Sequence, residues 1–242
     1  MAEIRALVAA AGRGTRAGLP YPKTLFPLQG RPILVRILEL LALYDKEPTI
    51  IVSPDGEAPV RECLAAACRR AHLVVQPIPK GMGDAVVRFE QSPACNGAEH
   101  VLLIWGDVPF IQPQTVSAVI NAHLDHGNDF TFATRMVDAA YTVVLRDEMA
   151  RLTGVVETRE AGITEPQPGE RDIGLFVFRK DVVMPALREE LSRKWGTTTG
   201  EHGFLYIIGH LVARGYRVEA LPVATEMDLV SLNSMKDVYE FL

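Results

Sequence analysis

The residues best suited to chemistry lie close to the N-terminus. From Ala10 to Thr24 the chain reads A-A-G-R-G-T-R-A-G-L-P-Y-P-K-T, with Gly12, Gly14 and Gly18 interleaved with Arg13, Arg16 and Lys23. Glycines remove side chains, so backbone N–H groups can approach an anion closely. Three cations within eleven residues are more than a diphosphate bridge between two nucleosides needs. Three readings compete. A Walker A loop needs Gly-Lys-Ser/Thr entering a helix, and Lys23-Thr24 follows Pro22, which excludes it. A dinucleotide fingerprint needs G-x-G-x-x-G opening a helix directly. Here the spacing is G-x-G-x-x-x-G, and Pro20 and Pro22 interrupt any helix. A bare structural loop is the third. A triphosphate-binding loop fits best, with an NAD(P)-dependent Rossmann oxidoreductase and a non-catalytic nucleotide-binding module as the alternatives.

Further stations follow downstream. Asp107 closes the apolar run His100–Trp105 as W-G-D-V-P. A carboxylate at the end of a buried strand suits a hard cation such as Mg²⁺; an aspartate that merely caps the next segment is the plainer reading. Gln76 ends another apolar run, and Gly81-Met82-Gly83-Asp84-Ala85 follows after a turn. A strand-end amide can satisfy both a donor and an acceptor on a base edge, or it can be only a polar strand end before a glycine turn. No G-x-S-x-G, H-E-x-x-H, C-x-x-C or D-x-D occurs, which argues against serine hydrolases, zincins, dithiol redox enzymes and glycosyltransferases. His123 and His126 are three apart, but His123 shares an apolar stripe and reads as a core histidine. His72, His100, His202 and His210 have no partners at ligand spacing.

The elements that must hold these residues are legible in outline. Strands are expected at Ile4–Ala10, Thr49–Val52, Leu73–Gln76 and His100–Trp105. Helices fall between them, one opening at Pro32, one at 59–70 and one at 84–91, and another starts at Pro113. Such alternation implies βαβ units around a mainly parallel sheet. The second half is less regular. Strands are expected at Phe130–Thr134, Tyr141–Leu145, Val155–Glu157 and Ile173–Phe178, with the polar stretch Glu160–Arg171 between the last two. Helices at about 181–194 and 204–214, a strand Arg217–Pro222 and a terminal helix from Met235 complete the chain. The expected fold is α/β and Rossmann-like, a mixed, mainly parallel central sheet with helices on both faces. It is read as one domain, residues 1–242, with a nucleotide-binding half (1–128) and an acceptor-binding half (129–242).

Composition bounds the partners. The 242 residues carry a net charge of −5 and are 48% hydrophobic, ordinary for a globular chain. Residues 1–38 hold six bases and one acid, +5, so the remainder stands at −10. An acidic total disfavours nucleic acid or an anionic membrane, while the basic N-terminal segment favours a small polyanion. No apolar run approaches the roughly 20 residues of a membrane span. Cys63, Cys68 and Cys95 read as reduced thiols, the first two as core packing on a helix with Val60 and Leu64. The localisation expected is cytoplasmic.

V-A-A-A-G-R-G-T-R followed by P-K-T-L (Pro22–Leu25) resembles the signature of sugar-phosphate nucleotidyltransferases, MobA-like NTP transferases with a GT-A-like fold. The likeness is strongest to the uridyltransferase half of bifunctional bacterial N-acetylglucosamine-1-phosphate uridyltransferases, and it extends over nearly the whole chain. It implies an enzyme of EC class 2.7.7 that joins an NMP group from an NTP to a phosphorylated (or phosphonate) acceptor such as a sugar 1-phosphate, releasing pyrophosphate. UTP is favoured, with CTP the alternative, because Met82 stands where the family has threonine. By the same resemblance Ala10, Ala11, Gly12, Gly14, Gln76, Gly81 and Met82 hold the nucleotide, while Arg16 and Lys23 grip the triphosphate. Asp107, in G-D-V-P, ligates Mg²⁺. Asn233, in Leu232-Asn233-Ser234, is the expected second metal ligand, and Asp228 its rival. Glu157 matches the family's strand-end glutamate at the acceptor, and Asp172 replaces an asparagine there. The bifunctional relatives continue into a hexapeptide-repeat domain, and this chain stops at Leu242, so a stand-alone nucleotidyltransferase without acetyl transfer is expected.

Overall fold

A computed structural model describes residues 3–12, 14, 18–163, 165 and 167–241, the side chains of Val238 and Glu240 excepted. Seven strands form the central sheet: β1 (Ile4–Ala9), β4 (Thr49–Val52), β5 (His72–Val75), β6 (His100–Trp105), β7 (Phe130–Ala140), β10 (Gln167–Arg179) and β11 (Val218–Leu221). Two-stranded ribbons pair β2 (Pro27–Leu28) with β3 (Arg31–Pro32), and β8 (Thr142–Arg146) with β9 (Leu152–Glu157). The sheet order is β11-β7-β10-β6-β1-β4-β5. β10 runs antiparallel to both neighbours, and the other pairings in the sheet are parallel. The expected mixed, mainly parallel sheet is therefore present.

Alternation along the strands sends side chains to two separate cores. Ala6 and Val8 of β1 join Ile50, Val52, Leu102 and Ile104 on one face. There they meet the apolar stripes of α1 (Ile33–Leu41), α2 (Pro54–Ala66) and α4 (Pro113–Asp125). Leu7, Ile51, Val74, Val101 and Leu103 point the other way, against α3 (Met82–Val87), α5 (Lys180–Arg188), α6 (Tyr206–Ala213) and the β8–β9 ribbon. On that face Phe130, Phe176, Phe178 and Phe204 form a packed aromatic cluster. No described helix is long and apolar enough to cross a membrane.

Several local expectations shift. Pro32 belongs to β3, and α1 starts one residue later. α2 starts at Pro54, where Ser53 accepts from the Gly56 N–H as an N-cap at 3.1 Å. It ends at Ala66, so Cys68 lies beyond it, exposed and in a left-handed conformation (φ 51°). Cys68 is not the core residue that helical spacing implied. α5 stops at Arg188, soon after Pro185, and residues 167–171 of the polar stretch extend β10. His100 does have a partner: its Nδ1 lies 2.9 Å from Nε2 of His123, whose Nδ1 lies 3.0 Å from Thr131 Oγ1. His123 is a satisfied core histidine as expected, and burial pushes its pKa down to about 4.

Candidate functional site

In open parallel sheets the ligand crevice lies outside the carboxyl ends of the strands, where successive connections leave in opposite directions. Here that point is between β1 and β6, because β4 and β5 continue to one side of β1 and β6 returns to the other. The loop after β1 and the G-D-V-P segment after β6 both emerge there. Gly106 makes the approach possible: a Cβ on it would lie 2.8 Å from the Ala9 carbonyl oxygen and 2.9 Å from Ala10 Cα, inside contact distance. Its N–H donates to that same carbonyl at 2.9 Å.

Lys23 and Asp107 meet at this point. Lys23 Nζ lies 2.7 Å from Asp107 Oδ2 and donates to the Leu232 carbonyl at 2.9 Å, while the Leu232 N–H donates to the Asp107 carbonyl at 2.9 Å. Three chain segments thus converge, and both charged side chains remain partly accessible (12% and 21%). The loop glycines make room for the lysine. A Cβ on Gly12 would touch Lys23 Cε at 3.6 Å. Gly14 has φ +73°, and a Cβ there would crowd the Tyr21 carbonyl at 2.9 Å. Ala10 is tied to the sheet by an N–H bond to the Ile51 carbonyl at 2.9 Å, and Ala11 packs with the second core. Arg16, the other triphosphate ligand expected, and Arg13 lie outside the described residues.

The C-terminal segment separates the two metal-ligand candidates. Asp228 is fully buried, and its carboxylate accepts from the Gln112 N–H (2.6 Å), Thr115 Oγ1 (2.9 Å), the Thr225 N–H (2.6 Å) and Thr225 Oγ1 (2.7 Å). Those bonds tie the start of α4 to the C-terminal segment and occupy the carboxylate within the protein. Asn233 adjoins Leu232, hence the Lys23–Asp107 pair. Its Nδ2 donates to Ser231 Oγ at 2.8 Å, and among the described residues nothing donates to its Oδ1. No group of three or more His, Cys, Asp or Glu side chains fit to hold a metal occurs among the described residues. Mg²⁺ commonly takes only one or two protein carboxylates plus substrate phosphates, so Asp107 with the Asn233 amide oxygen is a suitable hard-oxygen set.

At the far side of β4 the segment expected to meet the base has its own support. Gln76 follows β5, its N–H bonded to the Val52 carbonyl at 2.8 Å. Its side chain is 4% exposed. Gly81 and Gly83 lie against the segment from Glu201 to Gly203. A Cβ on Gly81 would fall 2.5 Å from the His202 carbonyl oxygen, and one on Gly83 2.1 Å from that of Gly203. The Gly83 N–H donates to the His202 carbonyl at 3.0 Å. These glycines therefore accommodate a chain crossing, a reason no local spacing reveals. Met82 packs with the second core. From Gln76 to Asp107 is three strand spacings, roughly 14 Å.

The acceptor candidates lie on β9 and β10. Glu157 is half-buried, and its carboxyl is pushed up to about 7 by burial and then by the neighbouring Asp172, Glu160 and Glu201. Asp172 is 2% exposed; its oxygens accept from Thr142 Oγ1 at 2.5 Å and the Gly174 N–H at 3.0 Å, and burial raises its pKa. Asp172 thus anchors the register irregularity of β10 from within and ties it to β8. Residues that sequence reasoning missed include the Leu232 carbonyl, His202 and Asp84. Asp84 alone had a signal, a charge directly after the glycine turn.

Comparison with known proteins places the chain in a family. Residues 6–172 match the model of the MobA-like NTP transferase domain. The chain is 30% identical over 239 residues to the bifunctional protein GlmU of Leifsonia xyli, covering 97% of this chain and 48% of that protein. It is 33% identical over 231 residues to GlmU of Alkalilimnicola ehrlichii, covering 94% and 47%. The chain therefore spans about half the length of these relatives. A Bacillus anthracis protein described as a glucose-1-phosphate thymidylyltransferase, solved with sucrose, shares the fold with a TM-score of 0.77 at 14% identity, covering 98% of this chain and 93% of its own. With the sheet, the loop after β1 and the Lys23–Asp107 junction in place, the match over most of the chain identifies it as a member of the MobA-like NTP transferase family.

Proposed function

We propose that this nucleotidyltransferase joins the NMP group of an NTP, UTP before CTP, to a small phosphorylated or phosphonate acceptor such as a sugar 1-phosphate, releasing pyrophosphate. The observation that carries the reading is the Lys23–Asp107–Leu232 junction at the switch point of the sheet. Residues 1–128 would bind the nucleotide through Ala10, Ala11, Gly12, Gly14, Gln76, Gly81 and Met82. Residues 129–242 would bind the acceptor through Glu157 and Asp172, the latter also bracing β10. Free cysteines fit a reducing, cytoplasmic setting.

The acceptor's phosphate oxygen would attack the α-phosphorus in line with the departing pyrophosphate. That nucleophile is already anionic at neutral pH, so no protein base is needed, and catalysis rests on positioning and charge. Lys23, reaching the crevice from a glycine-cleared loop, would offset charge on the phosphates, a role proposed for Arg16 as well. Asp107 and the Asn233 oxygen would hold Mg²⁺. When bound, the ion would supply positive charge that offsets the charge of the phosphates. The test is pyrophosphate release across the four NTPs with a panel of sugar, polyol and amino-alcohol phosphates and phosphonates. Release with a pyrimidine triphosphate and one acceptor class is expected. NTP binding without turnover on any acceptor would point to a binding module instead.

A further inference from the structure

The Gln76 amide sits between two acceptors. Its Nε2 donates to the Gly81 carbonyl at 3.0 Å and to Asp84 Oδ2 at 2.9 Å. An amide can be turned over, exchanging oxygen for nitrogen, and its surroundings decide which way round it sits. Turning this one would set Oε1 against a carbonyl oxygen and a carboxylate, so Gly81 and Asp84 together fix it. Both Nε2 hydrogens are then committed. Oε1 is the remaining pole, and among the described residues nothing donates to it. Asp84 is itself held: Arg88 Nε, one helical turn on, lies 3.4 Å from the same Oδ2. The turn that launches α3 is braced by the His202 backbone through the Gly83 N–H.

We propose that Asp84 is a positioning residue for base choice. By holding the Gln76 amide oxygen-outward, it makes that side chain present an acceptor to the cleft, matched to a pyrimidine that carries an N–H donor at N3. That describes uracil and thymine. Cytosine presents a lone pair at N3, so two acceptors would face each other in a largely buried site, where an unmatched polar group is costly. The inference rests on the nucleotidyl-transfer reading and deepens it, because the selector is a carboxylate that never touches the base.

The experiment compares the unaltered chain with Asp84→Asn, using UTP, dTTP and CTP. Pyrophosphate release gives kcat and KM, and calorimetric binding of UTP and CTP without acceptor gives the same ratio independently of chemistry. The new side-chain amide can donate to Gln76 Oε1, which frees Nε2 to turn toward the base. The unaltered chain should favour UTP or dTTP over CTP by about 10²-fold in kcat/KM. The substitution should cut that ratio by about tenfold through KM, with the melting temperature little changed. Arg88→Met, which keeps the carboxylate but loosens it, should lower the ratio by a smaller factor and guards against misfolding of the first variant. A preference of the unaltered chain for CTP or a purine triphosphate overturns the inference. So does an unchanged ratio in both variants, or a uniform loss for all triphosphates. Selective uracil binding without turnover would overturn the transferase reading while sustaining the Asp84 assignment.

Discussion

At the carboxyl ends of β1 and β6 an acid and a base are paired, Lys23 Nζ lying 2.7 Å from Asp107 Oδ2, whereas on β9 and β10 acids gather. Burial, Asp172 and two further acids there push the Glu157 carboxyl up to about 7. The first region balances its charge with groups drawn from three distant segments, and leaves them partly accessible. The second retains like charges and absorbs them by shifting protonation. A phosphate-handling end needs fixed, compensated charge. An acid that takes up a proton near neutrality can instead donate or accept a hydrogen bond, so pH sensitivity is expected around Glu157.

The sharpest way to break the comparison is Asp107→Asn, which should lower Mg²⁺-dependent pyrophosphate release by about 10²–10³-fold while the melting temperature stays close to that of the unaltered chain. Activity near the original level would remove Asp107 from the site. Next comes Asp228→Ala. It leaves four donors facing a buried gap and should cost roughly 3 kcal/mol by denaturant titration. The Mg²⁺ concentration for half-maximal rate should not move; a large rise in it would restore Asp228 as the metal ligand. Gly106→Ala should cost about 2 kcal/mol, a fall of roughly 4–8 °C in melting temperature, because the added Cβ meets the Ala9 carbonyl. No change there would mean that β1 and β6 part easily.

The smallest effect concerns pH. Glu157 has a raised pKa in the folded chain, so between about 4.5 and 7 the native state binds more protons than the unfolded one. Its contribution to stability is therefore intact at low pH and is lost as pH rises through that window, with Asp172 acting in the same direction. Glu157→Gln should flatten the decline of melting temperature between pH 5 and 8. An equal decline in both proteins would place the proton elsewhere.

Much of the first half was legible because its signals are local. Apolar strands of four to six residues and a loop rich in Gly and Pro announce themselves over short windows. The strand His100–Trp105 matches its expected bounds, and Thr49–Val52 does too. The second half was less legible. β10 is a 13-residue strand whose first five residues, Q-P-G-E-R, include no β-branched or aromatic residue, and their pairing with β7 rather than any β-propensity makes them a strand. Cys68 misled because helical spacing was extended past the point where Ala66 ends α2.

The sequence by itself determined the chemistry available: a loop cleared for an anion, a lysine, a strand-end aspartate, a strand-end amide and the alternation that builds an α/β sheet. Only the tertiary structure decided who meets whom. Lys23 finds Asp107 and the Leu232 carbonyl, 84 and 209 residues away. Asp228 is taken up by four donors while Asn233 keeps its oxygen available, and Gln76 turns its nitrogen to Asp84. The reason is physical. Residue type sets what a polar group can bond, but which donors and acceptors compete for it depends on strand order and chain crossings, and those are settled by the whole fold.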